Sequence, residues 1–122
     1  MNELEEKLLH EETGGAEPGL RIRTGTRIDL GRWWRSSPVW LCVVGDELIL
    51  LAVARRRFFA RIALRDAGAS RYHHSSGELV IEPGEALPLH KFKLTPADAL
   101  RILDIIHTAS NSLHHQPHQA SC

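Results

Sequence analysis

The chain has 122 residues, 43% of them hydrophobic, with 15 basic and 15 acidic side chains and a formal net charge of zero. That length fits one domain, the apolar content excludes wholesale disorder, and no apolar run approaches the roughly 20 residues that a bilayer-crossing helix needs. The neutral total hides three charge blocks: residues 1–19 set six glutamates against Lys7 (−5), residues 20–65 set ten arginines against Asp29, Asp46 and Glu47 (+7), and residues 66–122 net −2. Such blocks mark either an anionic partner or two parts of one chain that attract each other.

The first segment, MNELEEKLLHEE, is acidic and lacks the apolar centre of a signal peptide, so a soluble cytoplasmic protein is expected. It reads as a short helix over residues 2–12, with Leu4, Leu8 and Glu11 on one face and Leu9 beside it. A helix that short is marginal alone, because nucleation is costly, and must dock or fray. The run TGGAEPG at 13–19 is a linker by its Gly and Pro content. Residues 1–19 therefore form an acidic head and linker ahead of a domain at 20–113.

From Leu20 the periodicity changes to two. Leu20, Ile22 and Thr24 alternate with Arg21 and Arg23, and Thr26, Ile28 and Leu30 alternate with Arg27 and Asp29, as in strands with one wet face. The segment GRWWRSSP at 31–38 is a loop or strand end, Val39–Val44 is a strand covered on both sides, and Gly45 with Asp46 signals a turn. Residues 46–67 hold no Gly or Pro and are rich in Leu, Ala and Arg, so one long helix is a competing reading. Alternation of Phe58, Ala60, Ile62 and Leu64 favours two strands instead. In that reading Arg55, Arg56 and Arg57 are the solvated tip of a hairpin. Further short strands follow at Gly68–His73, Glu78–Glu82 and Leu87–Leu94, with turns at Ser75–Gly77 and Pro83–Glu85.

The last element is the clearest helix. Thr95 is a good N-cap, Pro96 suits the first helical position, and Asp98 suits the positive end of the helix dipole. Leu100, Leu103, Ile106 and Leu113, with Ile102, Ile105 and Ala109, give it a broad apolar face for plugging one side of the sheet system. Residues 114–122, HHQPHQASC, read as a disordered His-rich tail.

Seven strands and a C-terminal amphipathic helix make a mainly β (α+β) fold. The order VWLCVVGDELILLA, RIALRDAGASRYHHSSGELVIEPG and LHKFKLTPADALRIL resembles the pleckstrin-homology-like (PH-like) superfold, closest to its bacterial PH-like and GRAM-like domains. Ile62, Ala63 and Leu64 match an "I-P-L" strand, with Ala where Pro is common. Gly77, Leu79 and Ile81 match a G-x-L-x-I strand, and Phe92, Leu94, Ala99 and Leu100 match the strand that runs into the helix. The resemblance covers residues 20–112, and the final helix lacks the tryptophan of many eukaryotic members. It implies a seven-stranded sandwich or barrel capped by the helix. It also implies a non-enzymatic domain that binds phosphoinositides, peptides or proteins.

Two function classes follow. One is association with a protein partner or a second copy, through a strand edge or through Trp33 and Trp34. These two are adjacent, so a strand sends them to opposite faces and one can serve a partner. The other is peripheral binding of anionic lipid or phosphate-bearing ligands by Arg55, Arg56, Arg57 and Arg61 with Arg35, because guanidinium pairs with phosphate in a fork geometry. The acidic head competes for the same arginines.

Other chemistries lack a motif. No G-x-S-x-G, G-x-x-x-x-G-K or G-x-G-x-x-G frame is present, so no catalytic residue and no cofactor are assigned. His73 and His74 are adjacent and poorly disposed to chelate, so no metal is expected. Aromatics do not interleave with the basic strands, which argues against nucleic acid. Cys42 sits in an apolar run and Cys122 ends the chain, so no disulfide framework is implied.

Overall fold

The structure is a computed structural model that describes residues 1–29, 36–54 and 56–120, with residues 29 and 112–120 described by their backbone. The chain falls into two compact units, Met1–Arg61 and Ile62–Cys122. Each contains antiparallel sheet, in orders β1-β2-β3-β4 and β5-β6-β7.

In the first unit, α1 spans Glu3–Thr13 and opens on a capping box. The Asn2 side chain accepts from the Glu5 N–H, and the Glu5 carboxylate accepts from the Asn2 N–H, both at 2.9 Å. The helix ends at Gly14, whose left-handed φ of 67° lets the chain turn away. Leu8 and Leu9 point inward, with Glu5 beside them. Leu4, expected on the apolar face, is 59% exposed instead. The stripe follows positions 5, 8 and 9, and at 100° per residue position 4 falls on its flank.

Four strands follow: β1 (Leu20–Asp29), β2 (Ser36–Val44), β3 (Glu47–Val53) and β4 (Arg57–Ala63). The alternation at 20–29 forms one strand with an irregularity between Arg23 and Arg27. Pro38, opposite Arg27, brings no N–H to the ladder there, and Thr24 Oγ1 donates to the Val39 carbonyl at 2.7 Å. Cross-strand partners share a face. Arg21 lies opposite Cys42 and Cys42 opposite Ile49; Arg23 lies opposite Trp40 and Trp40 opposite Leu51. Leu8 and Leu9 seat on this face, against Cys42, Val44, Ile49 and Leu51. Leu41, Val43, Leu48 and Leu50, on the other face, are buried too.

Residues 46–67 hold two strands, so the long-helix reading is excluded. The β3–β4 turn closes with the Ala54 N–H donating to the Arg56 carbonyl at 3.0 Å. Continuous burial on both sheet faces, which a strand tolerates, explains the helix-like composition of β3.

The second unit begins with a 3₁₀ turn at Leu64–Ala67 and continues with β5 (Arg71–His73), β6 (Glu78–Val80) and β7 (Lys91–Lys93). These strands are shorter than their sequence patterns. Pro83 and Pro88 cannot donate to a ladder, and a second 3₁₀ turn occupies Gly84–Ala86. Then α2 runs Pro96–Ala120, which includes residues 114–120 of the segment read as a tail. Thr95 Oγ1 accepts from the Asp98 N–H at 3.3 Å, as its N-cap position predicts. Ala99, Ile102 and Ile106 are buried together with Leu79, Ile81 and Phe92. Leu100, expected on the apolar face, is 63% exposed. The buried stripe follows 99, 102 and 106, which leaves position 100 about 100° away from Ala99.

Gly68 is fixed by space rather than by backbone angle. Its φ is −61°, open to any residue, but a Cβ there would collide with Ser110 Oγ and lie 3.0 Å from Ser110 Cβ. Gly68→Ala is therefore expected to cost about 1–3 kcal/mol, and Ser110→Gly in the same chain to recover part of it. Thermal denaturation of the single and double variants tests this. A wild-type midpoint for Gly68→Ala would refute the close approach.

Candidate functional site

Of the predicted arginine cluster, two members face carboxylates. Arg57 Nη1 is 3.5 Å from Glu11 Oε2, and Arg61 Nη1 is 3.7 Å from Glu47 Oε1. Arg61 also lies over the Phe59 ring, 5.7 Å from its centroid. Arg56 is exposed, with no side-chain partner among the described residues. Arg55, Arg35, Trp33 and Trp34 lie outside the described residues.

The acidic head does meet the basic block. Arg21 Nη1 is 3.0 Å from Glu6 Oε1, on the opposite flank of α1 from the Glu11–Arg57 pair. Positions 6 and 11 are 140° apart around a helix, so one helix reaches β1 with one glutamate and β4 with the other. All four side chains are 38–57% exposed. Exposed pairs of this kind contribute little stability. Their consequence is electrostatic: two arginines of the sheet face already hold carboxylates.

Where α1 starts, the same face opens into a cleft of about 470 Å³. That size suits a small ligand. Strand β1 supplies Arg23 and Arg27, β2 supplies Ser36, Ser37 and Trp40, and the helix start supplies Asn2 and Glu5. Arg27 is held in place: its Nε–H donates to Ser36 Oγ at 2.8 Å and an Nη2–H donates to the Ser36 carbonyl at 2.6 Å. Arg23 is exposed and has no partner among the described residues. Ser37 Oγ donates to the Val53 carbonyl at 3.0 Å. Glu5 is buried, and one of its carboxylate oxygens accepts from the Asn2 N–H in the capping box. Trp40, in the segment expected to be covered on both sides, is only partly buried, and its indole N–H is enclosed with no hydrogen-bond partner among the described residues.

The cleft thus joins one guanidinium with no partner among the described residues, one fixed guanidinium and serine hydroxyls. That set suits an oxyanion such as phosphate or carboxylate. Sequence reasoning placed the anion site at Arg55, Arg56, Arg57 and Arg61 with Arg35, not on β1. The available signal was the even spacing of Arg23 and Arg27, which puts both on one strand face. The contributions of Asn2 and Ser36 come from other elements and carry no local pattern.

Under the same face lies Cys42, a free cysteine with no exposed surface. Burial pushes its thiol up to about 12, against which the nearby Arg21 charge acts only weakly. It is a small core residue, not a nucleophile. Among the described residues no group of three or more His, Cys, Asp or Glu side chains is disposed to hold a metal. No helix among them is long and apolar enough to cross a membrane. No protein-family model matches the chain, and neither the curated proteins nor the solved structures contain a match.

Proposed function

We propose that this chain is a non-enzymatic, PH-like binding domain of the cytoplasm whose first sheet takes an anionic, phosphate-bearing ligand. The observation that carries the ligand class is the cleft at the start of α1, where Arg23, with no partner among the described residues, joins the anchored Arg27 and Ser36. A site for phosphate needs donors already in place, and Arg27 spends two of its donor groups on Ser36 to hold that corner rigid. The strand order, four then three with a C-terminal helix, agrees with the PH-like resemblance. A buried free thiol fits a reducing compartment.

The β3–β4 tip is the weaker anion candidate, because Arg57 and Arg61 already face carboxylates. Association with a protein partner or a second copy is the second reading. It is favoured by β1, a ten-residue strand at the end of its sheet's order and so a template for strand addition.

An NMR titration with inorganic phosphate tests the first reading. The Arg23, Arg27 and Ser36 resonances are expected to shift together and to stop responding in the Arg23→Ala/Arg27→Ala variant. Unperturbed resonances in the wild-type chain would overturn it. Concentration-dependent sedimentation would then favour the second.

A further inference from the structure

We infer that Glu6 and Glu11 are specificity determinants: α1 shields the basic sheet face so that it admits a small phosphate-bearing solute and rejects an anionic bilayer. The inference rests on the anion-binding reading of the cleft and adds the source of the phosphate.

Three observations carry it. The first is position. On the face that α1 covers, the cleft lies where the helix starts, and Arg23 and Arg27 line it from the sheet below. A helix with its side chains is about 10 Å thick. A flat surface approaching that face meets the helix before it meets the strands, whereas a small ion enters beside it. The second is charge. Glu3, Glu11 and Glu12 of α1 are exposed, against the single Lys7. The charge that α1 presents to an anionic surface is therefore net negative. The third is pairing. Glu6 holds Arg21 and Glu11 holds Arg57, on opposite flanks. The two arginines that would widen the cleft into a membrane-sized basic surface are neutralised, and Arg23 inside it has no partner among the described residues. The −5 and +7 blocks thus meet in a defined pattern, which selects by ligand size as well as by charge.

The pairs are exposed and weak in stability, so their carboxylates can be neutralised without unseating the helix. Leu8 and Leu9 hold it independently. Deleting α1 would instead bare Cys42, Ile49 and Leu51, so point variants give the cleaner experiment. The probes are vesicles of phosphatidylcholine alone, vesicles with phosphatidylserine added, and inorganic phosphate in solution. Wild-type chain is expected to respond to phosphate and to float with neither vesicle. Glu6→Gln/Glu11→Gln is expected to keep the phosphate response and to gain about 30-fold in affinity for the phosphatidylserine vesicles, from two arginines returned to the surface. The gain should fade as salt shortens the screening length. Glu3→Gln, which changes the same kind of charge on a residue with no partner among the described residues, is expected to gain far less.

Wild-type flotation equal to that of the double variant would overturn the inference. So would the absence of any gain in a double variant whose tryptophan fluorescence shows α1 still docked, or an equal gain from Glu3→Gln. Failure of the cleft itself shows separately, as a wild-type chain that does not respond to phosphate.

Discussion

Leu9→Ala is expected to lower the unfolding free energy by about 2–5 kcal/mol, while Leu4→Ala on the same helix changes it by about 0.5 kcal/mol or less. The contrast follows from burial. Leu9 is 2% exposed and sits among Cys42, Val44, Ile49 and Leu51, whereas Leu4 is 59% exposed. The consequence extends beyond the cavity left in the core. Eleven residues are too few for a helix that is stable alone in water, so α1 depends on the apolar face beneath it. Its capping box satisfies two backbone N–H donors but cannot replace that burial. Leu9→Ala should therefore also loosen α1 before the sheet unfolds, and Trp40, partly buried against the same cluster, reports the loosening by fluorescence. Urea denaturation of both variants decides the matter. Equal costs for Leu4→Ala and Leu9→Ala would mean that α1 does not dock through positions 8 and 9.

The same helix shows which parts of this chain can be read from sequence. The Asn2-x-x-Glu5 signature and the helix after it are local, and both form. The face that docks is not local. A narrow stripe with Leu at 4, 8 and 9 has two possible centres, and the sheet selects the one at 5, 8 and 9. Period-two patterning located β1, and turn residues located the β2–β3 hairpin. Composition competed with periodicity at β3, where burial on both faces removes the alternation that identifies a strand, and it misled at 114–120, where the expected tail is helical. In the second unit, prolines at 83 and 88 end the ladders early, so sequence patterns longer than the strands were read there.

The charge blocks were legible as sums, but their pairing was not. That Glu6 takes Arg21 and Glu11 takes Arg57 depends on where α1 crosses the sheet. The cleft was illegible for the same reason. Its guanidiniums are on one strand, its serines on the next, and its far wall on a helix that precedes both. Only the β1 component carries a pattern in the chain, so a sequence reading finds arginines and misses the pocket.

Alkaline pH is expected to destabilise this fold through Cys42. Its thiol is held near 12 in the folded chain, mainly because burial penalises the thiolate, against an ordinary value near 9. Between those two values the unfolded chain has lost the proton and the folded chain still binds it. The folded state then holds more protons, so unfolding free energy falls as pH rises. The contribution is intact below about pH 9 and is lost progressively up to about 12, with a slope approaching about 1.4 kcal/mol per pH unit. The useful quantity is a difference in slope against a chain that lacks the thiol. Cys42→Ala has no thiol to ionise, and although it opens a small cavity, that cost does not vary with pH. Denaturant midpoints measured from pH 8 to pH 11 should therefore converge, with the wild-type chain losing its advantage as the pH climbs. Parallel lines for the two proteins would show that Cys42 is ionised or solvated in the folded state, and would place α1 off the sheet face that otherwise seals it.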